Sequence, residues 1–302
     1  MRASLVTSAS VFKDNGFPLT VMRLPNHHAT DRLHRHEFNE LVIITEGRGR
    51  HLTDNDDYGL EAGDVFLLRG QMQHGYADVE GMGLINILFK PRELGLPLAD
   101  LGDTPGYQLL FRIEPRLRQQ ARFRDRLHLT TEQLAEAIRL VAQLEQELRA
   151  LAPGYRFTAR AHLMQLIAYL ARCYASTKRP RSQPLLRLGE VLSYIDRHYR
   201  EPITIPQLLQ VAHMSQSTLM RTFQRVFKRA PIDYLIRVRI QKACELLADQ
   251  EQRITDVALA CGFNDSNYFT RQFRRVSGRS PREYRRIVTG RPAGSQPLGA
   301  RR

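Results

Sequence analysis

Ala258-Leu-Ala-Cys-Gly-Phe-Asn-Asp-Ser-Asn-Tyr-Phe-Thr-Arg-Gln-Phe-Arg-Arg-Val-Ser-Gly-Arg-Ser-Pro-Arg-Glu-Tyr284 decides how the C-terminal part of this chain folds. Ile254 to Cys261 reads as a short helix with Thr255 as a hydroxyl N-cap and Asp256 near the positive helix end. Gly262 ends it, because glycine takes a left-handed backbone at little cost. Asn264 or Asp265 then caps a second helix. On it Phe269, Phe273 and Val276 fall at i, i+4 and i+7 and form one apolar stripe. With about 3.6 residues per turn, Asn267 and Arg271 point away from that stripe, flanked by Arg274 and Arg275. Two short helices joined by a glycine turn, the second with a cationic outer face, are a helix-turn-helix.

The pattern occurs twice. At an offset of 50 residues, Leu219, Arg221, Phe223, Arg225 and Val226 match Phe269, Arg271, Phe273, Arg275 and Val276. The register continues through Arg229 with Arg279, Pro231 with Pro281 and Tyr234 with Tyr284. Upstream, Ile203-Thr204 answers Ile254-Thr255 with a one-residue slip. Agreement over this length marks an internal repeat. Each unit therefore presents an equivalent outward pair, Ser217/Arg221 and Asn267/Arg271.

The tandem units, with A-x-x-C-G-F, F-x-R-x-F and G-x-S-P-x-x-Y-R, resemble the DNA-binding domain of the AraC/XylS transcription regulators over about Leu185 to Val288. The first unit departs from the pattern by carrying Ala212-His213-Met214 where the turn glycine is expected. Ile232 to Asp249, long and amphipathic, would hold the units rigidly apart. Thr204-x-x-Gln207 is a capping box for the first helix of the first unit. Two recognition helices on one connector can enter successive major grooves of a double-stranded DNA operator. Arg221 and Arg271 are the candidates for base edges, guanine O6/N7 foremost, and Asn267 for adenine. Ser217, Gln216, Asp265 and Ser266 are secondary candidates at the helix beginnings. Arg225, Arg229, Arg274, Arg275 and Arg279 are assigned to phosphates, which orient the protein without reading sequence.

The charge agrees with this. Residues 1–180 carry 23 Lys/Arg against 21 Asp/Glu, whereas residues 181–302 carry 22 against 10. A strongly basic segment beside a nearly neutral one is an electrostatic footprint of nucleic-acid binding. The N-terminus M-R-A-S-L-V-T-S has no apolar run of signal-peptide length, and no stretch approaches the roughly 20 apolar residues of a membrane span. Cys173, Cys244 and Cys261 sit in apolar helical contexts without a C-x-x-C pair, which suits core thiols in a reducing cytoplasm.

The N-terminal part reads differently. Leu41–Ile44, Asp64–Leu68 and Leu84–Phe89 are short apolar runs punctuated by Gly47, Gly49, Gly59, Gly63, Gly70, Gly81 and Gly83, which favours an all-β barrel or sandwich. His34-x-His36-x3-Glu40-x6-Gly47 resembles the first cupin motif, and Gly63-x5-Arg69-x-Gln71-x2-His74 keeps the glycine-to-histidine spacing of the second. The region resembles the β-barrel sensor of sugar-responsive AraC proteins, the rhamnose-responsive branch foremost. That resemblance implies an effector pocket at His34, His36, Glu40 and His74, with Asn86 as a further candidate and a monosaccharide as the effector. The same four residues are the ligand set of metal-binding cupins, and imidazole plus carboxylate suits a divalent metal. No metal is required by the first reading, and structural histidines are the third. Asn86 reads equally well on a solvated face.

Pro91, Gly95, Pro97, Gly102, Pro105 and Gly106 break regular structure. Arg112, Arg116, Arg118, Arg122, Arg124 and Arg126 follow, tempered by Glu114 and Asp125, and are read as a solvated, charge-laced segment. Thr130-x-x-Gln133 opens a helix to about Leu151, in which Leu134, Ala137, Val141, Leu144, Leu148 and Leu151 have coiled-coil spacing. A second helix, about Phe157 to Tyr174, turns Leu163, Leu166, Ile167 and Leu170 to one side. In the family such a pair links sensor to DNA-binding part and makes a homodimer; packing on the barrel is the plainer alternative. The expected chain is α+β: a cupin-like sensor at 1–127, a helical linker and dimerisation pair at 128–176, a linker at 177–184, a double helix-turn-helix at 185–288, and a disordered tail at 289–302. The function implied is an effector-controlled, DNA-binding transcription regulator, an activator that contacts RNA polymerase. A metal-dependent cupin enzyme fused to a DNA-binding domain and a constitutive architectural DNA binder are the alternatives.

Overall fold

The computed structural model describes residues 4–12, 16–30, 32–54, 56–118, 120, 126–176, 183–249 and 252–289. It divides into two units, Met1–Ser193 and Tyr194–Arg302. The first contains β1 (Ser4–Val6), α1 (Ser8–Val11), β2 (Leu19–Leu24), β3 (His34–His36), β4 (Asn39–Thr53), β5 (Asp57–Glu61), β6 (Asp64–Leu68) and β7 (His74–Phe89). These are followed by α2 (Pro91–Leu94), α3 (Pro105–Tyr107), a π-helical stretch Gln108–Ile113, α4 (Glu114–Arg118), β8 (Leu127–His128), α5 (Thr131–Ala150) and α6 (Tyr155–Ala175). The boundary between units falls inside α7 (Gln183–His198).

The strands make one eight-stranded sheet in the order β1-β3-β7-β4-β6-β8, with β2 added to β7 and β5 to β4. The long strands β4 and β7 each change neighbours along their length, so the sheet coils round an interior of Val42, Ile44, Tyr58, Leu60, Phe66, Leu68, Tyr76, Met82 and Leu84. No pairing among the described strands closes it into a barrel. Leu41, Ile43, Val65 and Leu67, on the other face, are also buried. Burial on both faces is why β4 and β6 read as continuous apolar runs rather than alternating ones. Register shifts between Ile44 and Arg50 bend β4 against β7. Gly47, at φ +66, allows this: a Cβ there would lie 2.1 Å from the Gly81 carbonyl oxygen.

The segment after β7 is not solvated. Leu109, Leu110, Ile113, Glu114, Leu117 and Arg118 are buried, and Arg112 and Arg116 are half-buried. Arg122, Arg124 and Asp125 lie outside the described residues. The capping box at Thr130 and Gln133 forms with both of its hydrogen bonds. The coiled-coil seam is largely consumed within the chain: Ala137, Val141 and Leu144 are buried, with α5 packed on α6 and β2. Leu134 and Leu148 are half-buried and Leu151 is exposed. The plainer alternative, helices packed on their own sheet, therefore describes most of that seam. Of the expected linker, 177–182 lies outside the described residues, and Gln183 and Pro184 already belong to α7. The expected tail lies there too, except Thr289, which caps the last helix.

The second unit holds α8 (Ile205–Ala212), α9 (Gln216–Phe227), α10 (Pro231–Leu246), α11 (Ile254–Ala260), α12 (Ser266–Ser277) and α13 (Pro281–Val288). Thr255 lies inside α11 and Arg253 holds the N-cap position, without a side-chain cap. Thr204 does cap α8, in a box with Gln207. The connection from α8 to α9 is His213-Met214-Ser215, and that from α11 to α12 runs from Cys261 to Asp265. His213 takes the left-handed conformation, φ 47, that glycine takes in the second unit. Gly262, at φ +83, is doubly constrained, since a Cβ would come within 2.6 Å of the Arg200 carbonyl oxygen. No helix among the described residues is long and apolar enough to cross a membrane.

Candidate nucleic-acid interface and effector pocket

Recognition helices α9 and α12 begin and end in the same register. Ser215 Oγ accepts from Thr218 N at 3.3 Å and Asp265 Oδ1 from Tyr268 N at 2.7 Å. Each cap satisfies an amide that the helix leaves without an internal partner. Asp265, expected both as a cap and as a secondary base-edge candidate, makes the cap through Oδ1. Leu219, Phe223 and Val226 on α9, and Phe269 and Phe273 on α12, are buried. Gln216, Ser217 and Arg221, and Ser266, Asn267 and Arg271, are exposed. The Arg271 guanidinium lies 5.9 Å from the centre of the Tyr268 ring, a cation–π contact.

Among the phosphate candidates Arg225, Arg274, Arg275 and Arg279 are exposed and Arg229 is half-buried. Arg275 also pairs with Asp233 of α10 at 2.6 Å, and Arg229 reaches the same carboxylate at 4.0 Å. Asp233 thereby ties α12 to α10. Further ties come from Arg239, whose Nε and Nη2 donate to the carbonyls of Tyr199 and Glu201, both at 2.7 Å. With α10 packed on α9, α11 and α12, the two helix-turn-helix units share one supporting helix.

In the first unit the sheet register places His34 opposite His74, with ring centres 4.2 Å apart. Glu40 Oε2 lies 2.9 Å from His36 Nε2 and 3.5 Å from His74 Nε2. His36 stacks on Phe38, whose carbonyl is 2.7 Å from its Nδ1. The carboxylate is buried, and burial pushes its pKa up; hydrogen bonds from His36 and His74 outweigh that and hold it below the ordinary range. Burial pushes His34 down to about 4, assisted by the neighbouring His74 charge. The four predicted residues are therefore together. Asn86 faces inward beside Val42, not outward to solvent, and its Oδ1 has no hydrogen-bond partner among the described residues.

The structure adds residues the sequence did not reveal. His51 is fully buried, 5.8 Å from His74 and 5.1 Å from both Tyr58 and Phe66 between ring centres. Neither of its ring nitrogens, nor the Tyr76 hydroxyl, nor His27 Nε2, has a partner among the described residues. Burial lowers the pKa of His27 and His51 and raises that of Tyr76, so these groups enter the interior neutral. Next to them, Arg118 Nη1 donates to the Tyr58 hydroxyl at 2.5 Å and Nη2 to Glu114 Oε2 at 3.3 Å. The Tyr174 hydroxyl of α6 donates to the other Glu114 oxygen. A buried polar chain thus runs from the interior of the sheet to α6.

The depressed imidazoles imply acid sensitivity. Between the ordinary 6.5 and about 4, an unfolded chain protonates His34 while the folded unit resists. Stability contributed by this neutral state is complete above 6.5 and is lost as the pH falls through that window. The held-down Glu40 adds a loss of the same sign below its ordinary 4.5. Thermal melts of the chain from pH 7.5 to 4 are expected to show the N-terminal unit weakening steadily, and His34→Asn to flatten the slope between 6.5 and 4.

Family models match both parts of the chain: a helix-turn-helix domain over residues 208–287 and an AraC-like ligand binding domain over residues 21–167. The chain is 29% identical over 255 residues to the HTH-type transcriptional activator RhaR of Shigella dysenteriae serotype 1, across 84% of this chain and 86% of that protein. RhaR of Escherichia coli K12 matches with the same identity and coverage. Among solved structures, a probable AraC family transcriptional regulator from Rhodopseudomonas palustris is 31% identical over 34% of this chain and 96% of its own, with a TM-score of 0.32. With a ligand-binding domain of AraC type ahead of a doubled helix-turn-helix, and a shared ancestry with RhaR over most of its length, this chain belongs to the AraC family of DNA-binding transcription regulators.

Proposed function

We propose that the chain activates transcription in response to a neutral polyhydroxylated effector of the monosaccharide class, held inside the N-terminal sheet. The observation that carries this reading is the interior set of His27, His51, Tyr76 and Asn86, with polar atoms that have no hydrogen-bond partner among the described residues, beside the ionised Glu40. A buried polar atom without a partner costs about 1–3 kcal/mol, and sugar hydroxyls would satisfy both donors and acceptors there while Phe66 and Val42 cover the apolar face of the ring. Relatives named as activators support the sign of regulation. Residues 1–127 would sense, 128–176 link and dimerise, 177–184 join, and 185–288 bind the operator. Arg221, Arg271 and Asn267 would read bases, Ser217, Gln216, Asp265 and Ser266 would assist, and Arg225, Arg229, Arg274, Arg275 and Arg279 would hold phosphates. Effector binding shifts the population of arrangements able to bind DNA or contact RNA polymerase, in a cytoplasmic homodimer.

The test is a thermal-shift screen of the full chain against aldohexoses and deoxyhexoses. One sugar is expected to raise the melting temperature and to change operator affinity in a footprint titration; no response to any sugar would defeat the reading. A second reading has its own observation: His34, Glu40 and His74 offer ligand atoms all within 4.8 Å of one another. They would hold a divalent metal with His36 supporting Glu40 from behind, and stoichiometric metal after dialysis, measured by emission spectrometry, would favour it.

A further inference from the structure

We infer that Met220 and Thr270 give each recognition helix an apolar contact that reads the C5 methyl group of a thymine. The inference rests on the base-reading role proposed above. Met220 is 36% exposed on α9, in a strip otherwise made of Gln216, Ser217, Arg221 and Gln224, all polar and all exposed. Its register equivalent, 50 positions on, is Thr270, also exposed. Thr270 Oγ1 donates to the Ser266 carbonyl at 2.8 Å. The hydroxyl is thereby engaged within α12, and the methyl group remains as the surface that Thr270 presents.

The two positions share a location as well as a chemistry. On a helical wheel Met220 and Arg225 border the Ser217–Arg221–Gln224 strip on opposite sides, as Thr270 and Arg275 border Asn267–Arg271–Arg274. Arg275 is tied back to Asp233 of α10, so the Thr270 border is the one turned away from the connector. In the major groove the thymine methyl is the apolar feature among base-edge donors and acceptors. An unbranched thioether adapts to such a target, and a threonine methyl meets it directly. The repeat therefore carries a third reading position per helix, between the polar pair and the groove wall.

The experiment uses the full chain. An operator is selected from random duplex DNA, and each thymine is then replaced singly by deoxyuridine, which lacks only the methyl group. One thymine in each half-site is expected to lose about three- to tenfold in affinity on replacement, as burial of one methyl group implies. Met220→Ala is expected to abolish the difference at one half-site and Thr270→Ser at the other, while Thr270→Val, which keeps a methyl group, retains it. Neutral deoxyuridine at every thymine, or penalties that persist unchanged in Met220→Ala and Thr270→Ser, would overturn the inference. Selection that enriches no sequence would overturn base reading itself, and this inference with it.

Discussion

Glu114→Ala is expected to destabilise the N-terminal unit by about 3–5 kcal/mol, the cost of leaving a buried cation without its partner. Arg118 and Glu114 are both buried, 2% and 0% exposed, and bond to each other at 3.3 Å. Removing the carboxylate leaves the guanidinium without its buried counter-charge, between Tyr58 and Phe66, whose ring centres lie 5.4 and 5.2 Å away. It also removes the acceptor for the Tyr174 hydroxyl, which fixes α6 to α4. Urea denaturation followed by a probe in the first unit measures the loss. The double variant Glu114→Leu/Arg118→Met is expected to recover most of it, because neither charge then has to be desolvated. A loss below about 1 kcal/mol for Glu114→Ala would mean that the pair behaves as a solvated one and that the polar chain to α6 is not rigid.

Arg271→Ala is expected to remove about 1–3 kcal/mol of discrimination between operator and random DNA, the contribution of one bidentate base contact. Salt-dependent binding to random DNA should persist, because Arg225, Arg274 and Arg279 remain exposed to meet phosphates. Arg271→Lys keeps the charge but not the planar fork, and is expected to lose nearly as much discrimination. Fluorescence anisotropy on both duplexes over a salt series separates the terms. An equal fall in affinity on operator and random DNA would assign Arg271 to the backbone instead.

The second unit was largely legible in the sequence because its signals are local. A stripe at helical spacing, a glycine between two helices and a repeat at 50 positions need no knowledge of distant contacts. Where a local signal misled, the competing residue was close by: the hydroxyl of Thr255 suggests a cap, yet the chain enters α11 two residues earlier, through Arg253. The first unit was legible only in part. His34, His36, Glu40 and His74 announced themselves by spacing, but His51 did not. Alternation places Glu40, Val42 and Ile44 inside, and the register shifts between Ile44 and Arg50 then reverse the parity, so that His51 points inward after a run of charged and glycine residues. Glu114 and Arg118 were read as solvated for a related reason. Their burial depends on Tyr58 and Tyr174, each 60 positions away, and nothing within the segment reports them.

Two equivalent helix faces on one connecting helix are expected to read the same side of a duplex. Hydroxyl-radical footprinting of the full chain on its selected operator tests this most directly. Protection is expected in two patches about one helical turn apart, roughly 10 base pairs, on one face, with Ser217/Arg221 variants weakening one patch and Asn267/Arg271 variants the other. A single protected groove, or two patches on opposite faces of the duplex, would contradict it.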